Sequence, residues 1–412
     1  MRLSLLTLFG LNLVLVLFPV LSPDGDPTSG NALFFDEITL YGKILSSVLT
    51  PLLVTITLAF TLFDQRMKPI PGRVLFPSLA VCLLTCVSAA FSDTVRIETL
   101  FMGLFFLLFN LYLASMKFDP RGSDEVLRIF KAYFSVWLLA PLAVMLVDPS
   151  LVGMFVNVSP IDISYHGFAD SRVGFGLWVP VFMILLGRPK SKLEWFLMIV
   201  SVLTLLLSQS RAAILGLLLG GIYAMLRAQD GHRALWGRLV AIFAVCLIPL
   251  ALWSTFGRDD ALTVLSEDRD VILSHFLGYI EQHWLFGHGS MYLVDLPEID
   301  KFEVPAHNFM LQTLANYGVL TLIAFLVYFG CIFSFVRSTR ARMLLIFLFV
   351  YSMNQPVQGT GNFFNPITLL FALVAFAVDN VEARASRSAP RPARDRAKAA
   401  RHRLPEPGPK PA

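Results

Sequence analysis

Hydrophobic residues make up 56% of this 412-residue chain and charged residues only 15%, with a mean hydropathy of +0.68, which excludes an ordinary soluble domain. The formal net charge is +4, and no Walker-type loop or glycine-rich nucleotide fingerprint occurs. This argues against an ATP-driven pump, a nucleotide-sugar enzyme with a soluble catalytic domain, or a nucleic-acid partner.

A hydrocarbon core about 30 Å thick needs roughly 20 apolar residues per helical crossing. Twelve stretches meet or approach that length: residues 3–21, 39–63, 74–91, 97–115, 132–148, 173–187, 194–208, 212–227, 239–255, 308–336, 343–357 and 366–380. The expected class is therefore all-α, a polytopic membrane protein. The first stretch has the look of a cleaved signal peptide, with Arg2, an apolar run, then Pro23 and Gly25. The small-x-small site Gly30-Asn-Ala32 lies well beyond the run, however, and cleavage would leave an odd number of crossings, so the stretch is read as a span. Residues 173–187 and 194–208 are short and must borrow flanking residues or thin the bilayer. The element from 308 begins outside the membrane, because Asn308 to Gly318 is more polar than Val319 to Val336. Cys82, Cys86, Cys246 and Cys331 all fall inside predicted helices, as small buried hydrophobes rather than disulfide or metal partners.

Loop charge orients the set, since Lys and Arg in short loops stay on the cytoplasmic side. With the N-terminus inside, alternate loops and the tail hold 26 of the 33 basic residues. The remainder are Lys43, Arg96, Arg172, Arg211, Arg258, Arg269 and Lys301. Both termini are then cytoplasmic. Residues 1–380 form the integral membrane domain. Residues 381–412, rich in Ala, Arg and Pro, form a disordered basic tail lying against anionic headgroups.

The longest loop on the opposite side runs over 256–306. Within it Ile272, Phe276, Ile280 and Trp284 recur every four residues, the spacing of one helical face. That face can rest on the bilayer surface or on the bundle. Ser266 is the expected helix start and Gly287-His-Gly289 the expected stop. Arg269 then lies in the first turn, where free N–H groups and the helix dipole favour an anion; the alternative is a local salt bridge with Asp268 or Asp270. The loop carries ten acids against three bases, so it is no general anion trap. No recognisable ligand spacing points to a metal site.

Arg211, in Ser208-Gln-Ser-Arg211, begins a spanning helix. An ionisable residue this close to hydrocarbon is costly unless it faces a cavity or partner, the plain alternative being an anchor that snorkels to water. His307 has the side chain suited to proton transfer near neutrality. His166, His275, His283 and His288 share its side of the membrane, so position singles it out: it follows Pro305 by two residues, precedes Asn308 and opens the re-entry helix.

Three motifs run in order: Ser-x-Ser-Arg before an Ala/Gly/Leu-rich helix; Asp-Arg before an aromatic amphipathic run ending in Trp-Leu-Phe-Gly-His-Gly; and His-Asn-x-x-Leu-x-x-x-x-x-x-Gly before a spanning helix. Together, over about 208–330, they make the chain similar to the bacterial O-antigen ligase and polymerase superfamily. The resemblance implies a GT-C-like helical fold in the inner membrane. It implies transfer of a glycan from a polyprenyl-diphosphate-linked donor, on the periplasmic side, to an acceptor hydroxyl on lipid A core, a growing polysaccharide or a protein. By the same resemblance Arg211 and Arg269 hold the diphosphate and His307 orients or deprotonates the acceptor. Asn308, Ser210 and Arg258 are supporting candidates, and no metal or other cofactor is required. The alternative is a transporter or flippase for an amphiphile. Transporters often carry ionisable groups at mid-membrane depth in both halves, whereas here they gather at one face of the C-terminal half.

Overall fold

The computed structural model describes residues 72–91, 103–104, 106–108, 110–111, 120–158, 163–165, 172–208, 210–227, 269–289, 294–296, 301–304, 306, 308–354 and 366–388. The expected spans over 3–21, 39–63 and 239–255, most of 97–115, and Cys246, Arg258, Ser266 and His307 lie outside these residues.

The apolar runs form helices because only a helix satisfies every backbone polar group within its own segment. In chain order they are α1 (Gly72–Phe91), α2 (Pro120–Val147), α3 (Arg172–Leu186), α4 (Lys192–Leu207), α5 (Arg211–Leu226), α6 (Arg269–His283), α7 (Phe309–Phe335), α8 (Thr339–Asn354) and α9 (Pro366–Ser388). α1, the 25 residues Ser123–Val147 of α2, and α7 are long and apolar enough to cross a membrane. α4 shows why a boundary falls where it does. Ser191 Oγ accepts from Glu194 N at 3.1 Å while the Glu194 carboxylate accepts from Ser191 N at 3.3 Å, a reciprocal capping box.

Several expectations need correcting. The connections are not purely helical: strands β1 (Val156–Val158) and β2 (Ile163–Tyr165) form one antiparallel ribbon, and β3 (Val294–Leu296) and β4 (Lys301–Val304) another. Strands this short carry too little alternation to be read from sequence. Trp284 leaves the helical face assigned to it, because α6 ends at His283 and Trp284 opens the following turn, 57% exposed. The basic tail is not irregular from residue 381, since α9 continues to Ser388. Its extension has partners: Glu382 pairs with Arg340 at 3.2 Å, and Arg384 with Asp124 at 3.4 Å.

Lipid tails are as apolar as leucine, so helix association in a membrane rests on close packing and on hydrogen bonds between helices. Both devices recur. α5 lies antiparallel on α8 through small residues, with Gly216 against Phe347 and Gly220 against the Met343 carbonyl. α7 packs on α1, α9 on both α2 and α8, and α6 on α7. Aromatic side chains fill the α2–α3 contact, where Phe134 meets Trp178 at 5.4 Å and Phe182 at 6.0 Å. Tyr328 of α7 donates its hydroxyl to Asn110, whose amide in turn donates to Phe106 O. Cys82, Cys86 and Cys331 are free thiols within helices.

One end of the bundle is tied by charge. Arg340, at the start of α8, donates to Ile184 O and Leu185 O at 3.0 and 2.6 Å, capping the last turn of α3. Asp379 of α9, almost fully buried, accepts from the N–H groups of Arg337 and Ser338, both at 2.6 Å. Asn380 donates to Ser123 Oγ at 2.9 Å. α2, α3, α8 and α9 therefore share one polar clamp.

Candidate functional site

α7 is the element on which the site is built. Asn308 caps it: its Oδ1 accepts from Met310 N at 2.9 Å and Leu311 N at 3.3 Å. The same side chain donates from Nδ2 to Met353 O at 2.9 Å, so the cap of α7 is pinned to the far end of α8. Two residues before Asn308, Ala306 N donates to Gln312 Oε1 at 2.8 Å. Gln312 passes the chain on, donating from Nε2 to Asn316 Oδ1 at 2.9 Å.

α7 is then broken. Gly318 stands at φ 75°, ψ 178°, a conformation open to glycine. A break at this depth frees backbone groups that need partners. The turn after α6 supplies them: His288 N donates to Ala315 O at 2.8 Å, Gly289 N to Asn316 O at 2.7 Å, and Val319 N to Trp284 O at 2.9 Å. Gly287 and Gly289, at φ 66° and 76°, let the turn lie flat against the broken helix. α1 closes the other flank, with Ser88 donating to Phe286 O and Phe91 stacked on Phe286 at 4.6 Å. α6 ends at His283, ahead of Gly287-His-Gly289, the stop its composition suggested, and the turn that holds this motif repairs α7.

The face of α6 rests on the bundle. Ile272 and Phe276, 2% and 0% exposed, share an apolar cluster with Val294, Ala306 and Ala315. Arg269 is the first described residue of this helix, and Ile272, one turn on, shares the cluster with Ala306 just ahead of the mouth of α7. Arg211 is the first residue of α5, and its side chain is exposed. Stepping from Gly220 to Gly216 along α5 moves from Met343 to Phe347 along α8. Ala212 lies one further turn toward the start of α5, and Tyr351 one further turn toward the end of α8. The antiparallel pairing therefore points the start of α5, and Arg211 with it, toward the end of α8 that Asn308 grips through Met353.

The described residues thus direct the start of α5, bearing Arg211, and the mouth of α7, bearing Asn308, toward the same end of α8, while α6, whose first described residue is Arg269, packs on α7. The positive end of a helix dipole lies at the starts of α5 and α7; at α7 the Met310 and Leu311 N–H groups are already taken by Asn308. At α5 the Ser210 side chain makes no capping bond, and it is buried against Gly176 of α3. Ser210 therefore acts in packing α3 on α5. His307 and Arg258 lie outside the described residues. Two other histidines of this region have aromatic company: Tyr279 stacks on His283 at 4.6 Å and bonds His288 Nδ1 through its hydroxyl at 3.1 Å. Among the described residues no cluster of three His, Cys, Asp or Glu could hold a metal ion. Gln312 and Asn316 were missed from sequence. Their signal was two amides spaced i, i+4 on one face of an otherwise apolar helix.

Residues 196–326 match the family model described as O-Antigen ligase. This segment belongs to the O-antigen ligase/polymerase superfamily, and it spans the three helix starts and the broken helix together. The match gives it an O-antigen-ligase-like, glycosyltransferase-like function in general terms, and with the apolar helices it marks a membrane protein. No curated protein matches the chain. The transporter or flippase alternative draws no support from the family match.

Proposed function

We propose that the protein transfers a glycan from a polyprenyl-diphosphate-linked donor to an acceptor hydroxyl on the periplasmic side of the inner membrane. What supports this reading is that the segment matching the ligase family carries Arg211 at the start of α5 and Asn308 at the mouth of α7, both directed toward one end of α8, with Arg269 on the α6 helix that packs on α7. A diphosphate suits two guanidiniums, each of which stays charged and grips two oxygens in a planar fork. It also suits helix N-termini, where backbone N–H groups point outward.

A sugar hydroxyl is a weak nucleophile. In the proposed reaction His307 takes its proton as the oxygen attacks the anomeric carbon, the bond from that carbon to the diphosphate oxygen breaks, and Arg211 and Arg269 stabilise the charge on the departing diphosphate. Ligase and polymerase share this donor chemistry and differ in the acceptor.

The test measures lipid-linked donor binding and product formation side by side. Arg211→Lys and Arg269→Lys are expected to weaken donor binding and cut transfer at an unchanged protein level, because Lys keeps the charge but loses the fork. His307→Ala is expected to bind donor and lose about 10² to 10⁴ in rate. Unchanged donor binding in the Arg211→Ala, Arg269→Ala double variant would refute the diphosphate assignment, and wild-type transfer by His307→Ala would remove the base.

A further inference from the structure

A glutamine buried inside an apolar helix is costly unless both ends of its amide find partners. Gln312 is fully buried. Its oxygen does not serve its own helix: it reaches back past the first turn of α7 to accept the Ala306 N–H at 2.8 Å. Its nitrogen donates to Asn316 Oδ1 at 2.9 Å, and the backbone carbonyl of Asn316 receives Gly289 N at 2.7 Å. Two residues after Ala306, Asn308 is held on both sides by the α7 N–H groups and by Met353 O. Ala306 and Asn308 are thus fixed by two different side chains, and the residue joining them is His307.

We propose that Gln312 is a positioning residue for His307, holding the N–H of Ala306, the residue before it, at the approach to α7 and linking that N–H through Asn316 to the Trp284–Gly289 turn. The inference rests on the reading of His307 as the acceptor base. A base must sit within hydrogen-bond reach of the proton it removes. With the Ala306 N–H released, the backbone leading into His307 loses its hydrogen bond and keeps only the packing of Ala306 in the apolar cluster. A misplacement of about 1 Å at such a site can cost about 10²-fold in rate. Donor binding, assigned to the arginines, is left alone.

The experiment places two variants without a hydrogen-bonding amide, Gln312→Met and Gln312→Leu, in the wild-type and His307→Ala backgrounds of the full chain. Donor binding, transfer rate and detergent unfolding are read for each. In the wild-type background either variant that accumulates normally is expected to bind donor as wild type does and to transfer about 10²-fold more slowly. In the His307→Ala background the same substitution is expected to add little, because residues acting as one unit are not additive. Gln312→Glu keeps an acceptor for the Ala306 N–H and is expected to transfer faster than the Met and Leu variants. Full transfer by Gln312→Met with His307→Ala inactive overturns the proposal while sparing the base. An equal fractional loss in both backgrounds shows that Gln312 acts independently of His307, which also overturns it. Wild-type transfer by His307→Ala removes the base itself, and this inference falls with it.

Discussion

Gly287 and Gly318 stand back to back, each at positive φ, 66° and 75°, and each pressed against the other's stretch of backbone. A Cβ on Gly287 would lie 2.6 Å from Asn316 C and Tyr317 N, and one on Gly318 would collide with the Leu285 carbonyl. Neither neighbour is a flexible side chain that can move aside. The pair locks the turn after α6 to the break in α7.

Gly318→Ala is therefore expected to destabilise the protein by at least about 1–3 kcal/mol, the usual cost of an L-residue held in a sparsely populated backbone region, with backbone collision added. Gly278→Ala is the control. It lies in α6 with open space where a Cβ would stand, so it is expected to be neutral or to stabilise by up to about 1 kcal/mol. Thermal unfolding in detergent reads both; equal midpoints for Gly318→Ala and wild type would dissolve the interlock.

At the opposite clamp, Arg340→Met removes the cap on Ile184 O and Leu185 O together with the Glu382 pair. A cost of about 1–3 kcal/mol is expected, that of stranding partly buried carbonyls. Glu382→Gln should cost less than about 1 kcal/mol, because the Arg340 side chain is 36% exposed and solvent screens the pair. If the two variants unfold together, the ion pair outweighs the cap and the ranking is wrong.

Because paired arginines take the place of a metal cation in the proposed reaction, purified protein is expected to keep transferring glycan in excess EDTA. Activity lost to chelation and restored by Mg²⁺ or Mn²⁺ would assign the acids between Asp259 and Glu303 to a metal instead.

Topology reporters fused at Lys68, Lys190, Arg238 and Arg340 are expected to read cytoplasmic, and one at Leu296 periplasmic. Two of these positions are tied structurally, since Arg340 bonds the end of α3 just before the Arg188 to Lys190 loop. A cytoplasmic signal at Leu296 would put the site on the wrong face for a translocated donor.

The apolar runs were legible because a spanning helix needs length and hydrophobicity and little else. The ends expected for α1, α3, α4, α5 and α7 fall within two residues of those observed. Asn308 was readable as part of a helix mouth, and its second grip on Met353 was not, because sequence carries no record of which neighbour lies across the gap. The break at Gly318 was hidden for a related reason. Hydropathy averages over the residues on either side, and a lone glycine in an apolar stretch reads as helix packing as readily as a positive φ. Trp284 fitted the period-four face up to the residue where the turn takes over, and periodicity does not see where a helix stops. Arg211 was read at the mouth of a helix, and α5 begins there; the direction in which that mouth points was not readable, because it is set by the small-residue pairing of α5 on α8.

The carboxylate of Asp379 bears on how the chain is assembled. Synthesis proceeds from the N-terminus, so α7 and α8 leave the ribosome before α9, and the Arg337 and Ser338 amides emerge with their eventual acceptor still untranslated. Until α9 docks, those two N–H groups must face water or headgroups. The α7–α8 hairpin, together with the mouth of α7 pinned through Met353 to α8, is completed only by a helix made after both. A ribosome stalled between α8 and α9 would hold a protein with every motif of its ligase-like segment already made and that segment's hairpin still unfinished.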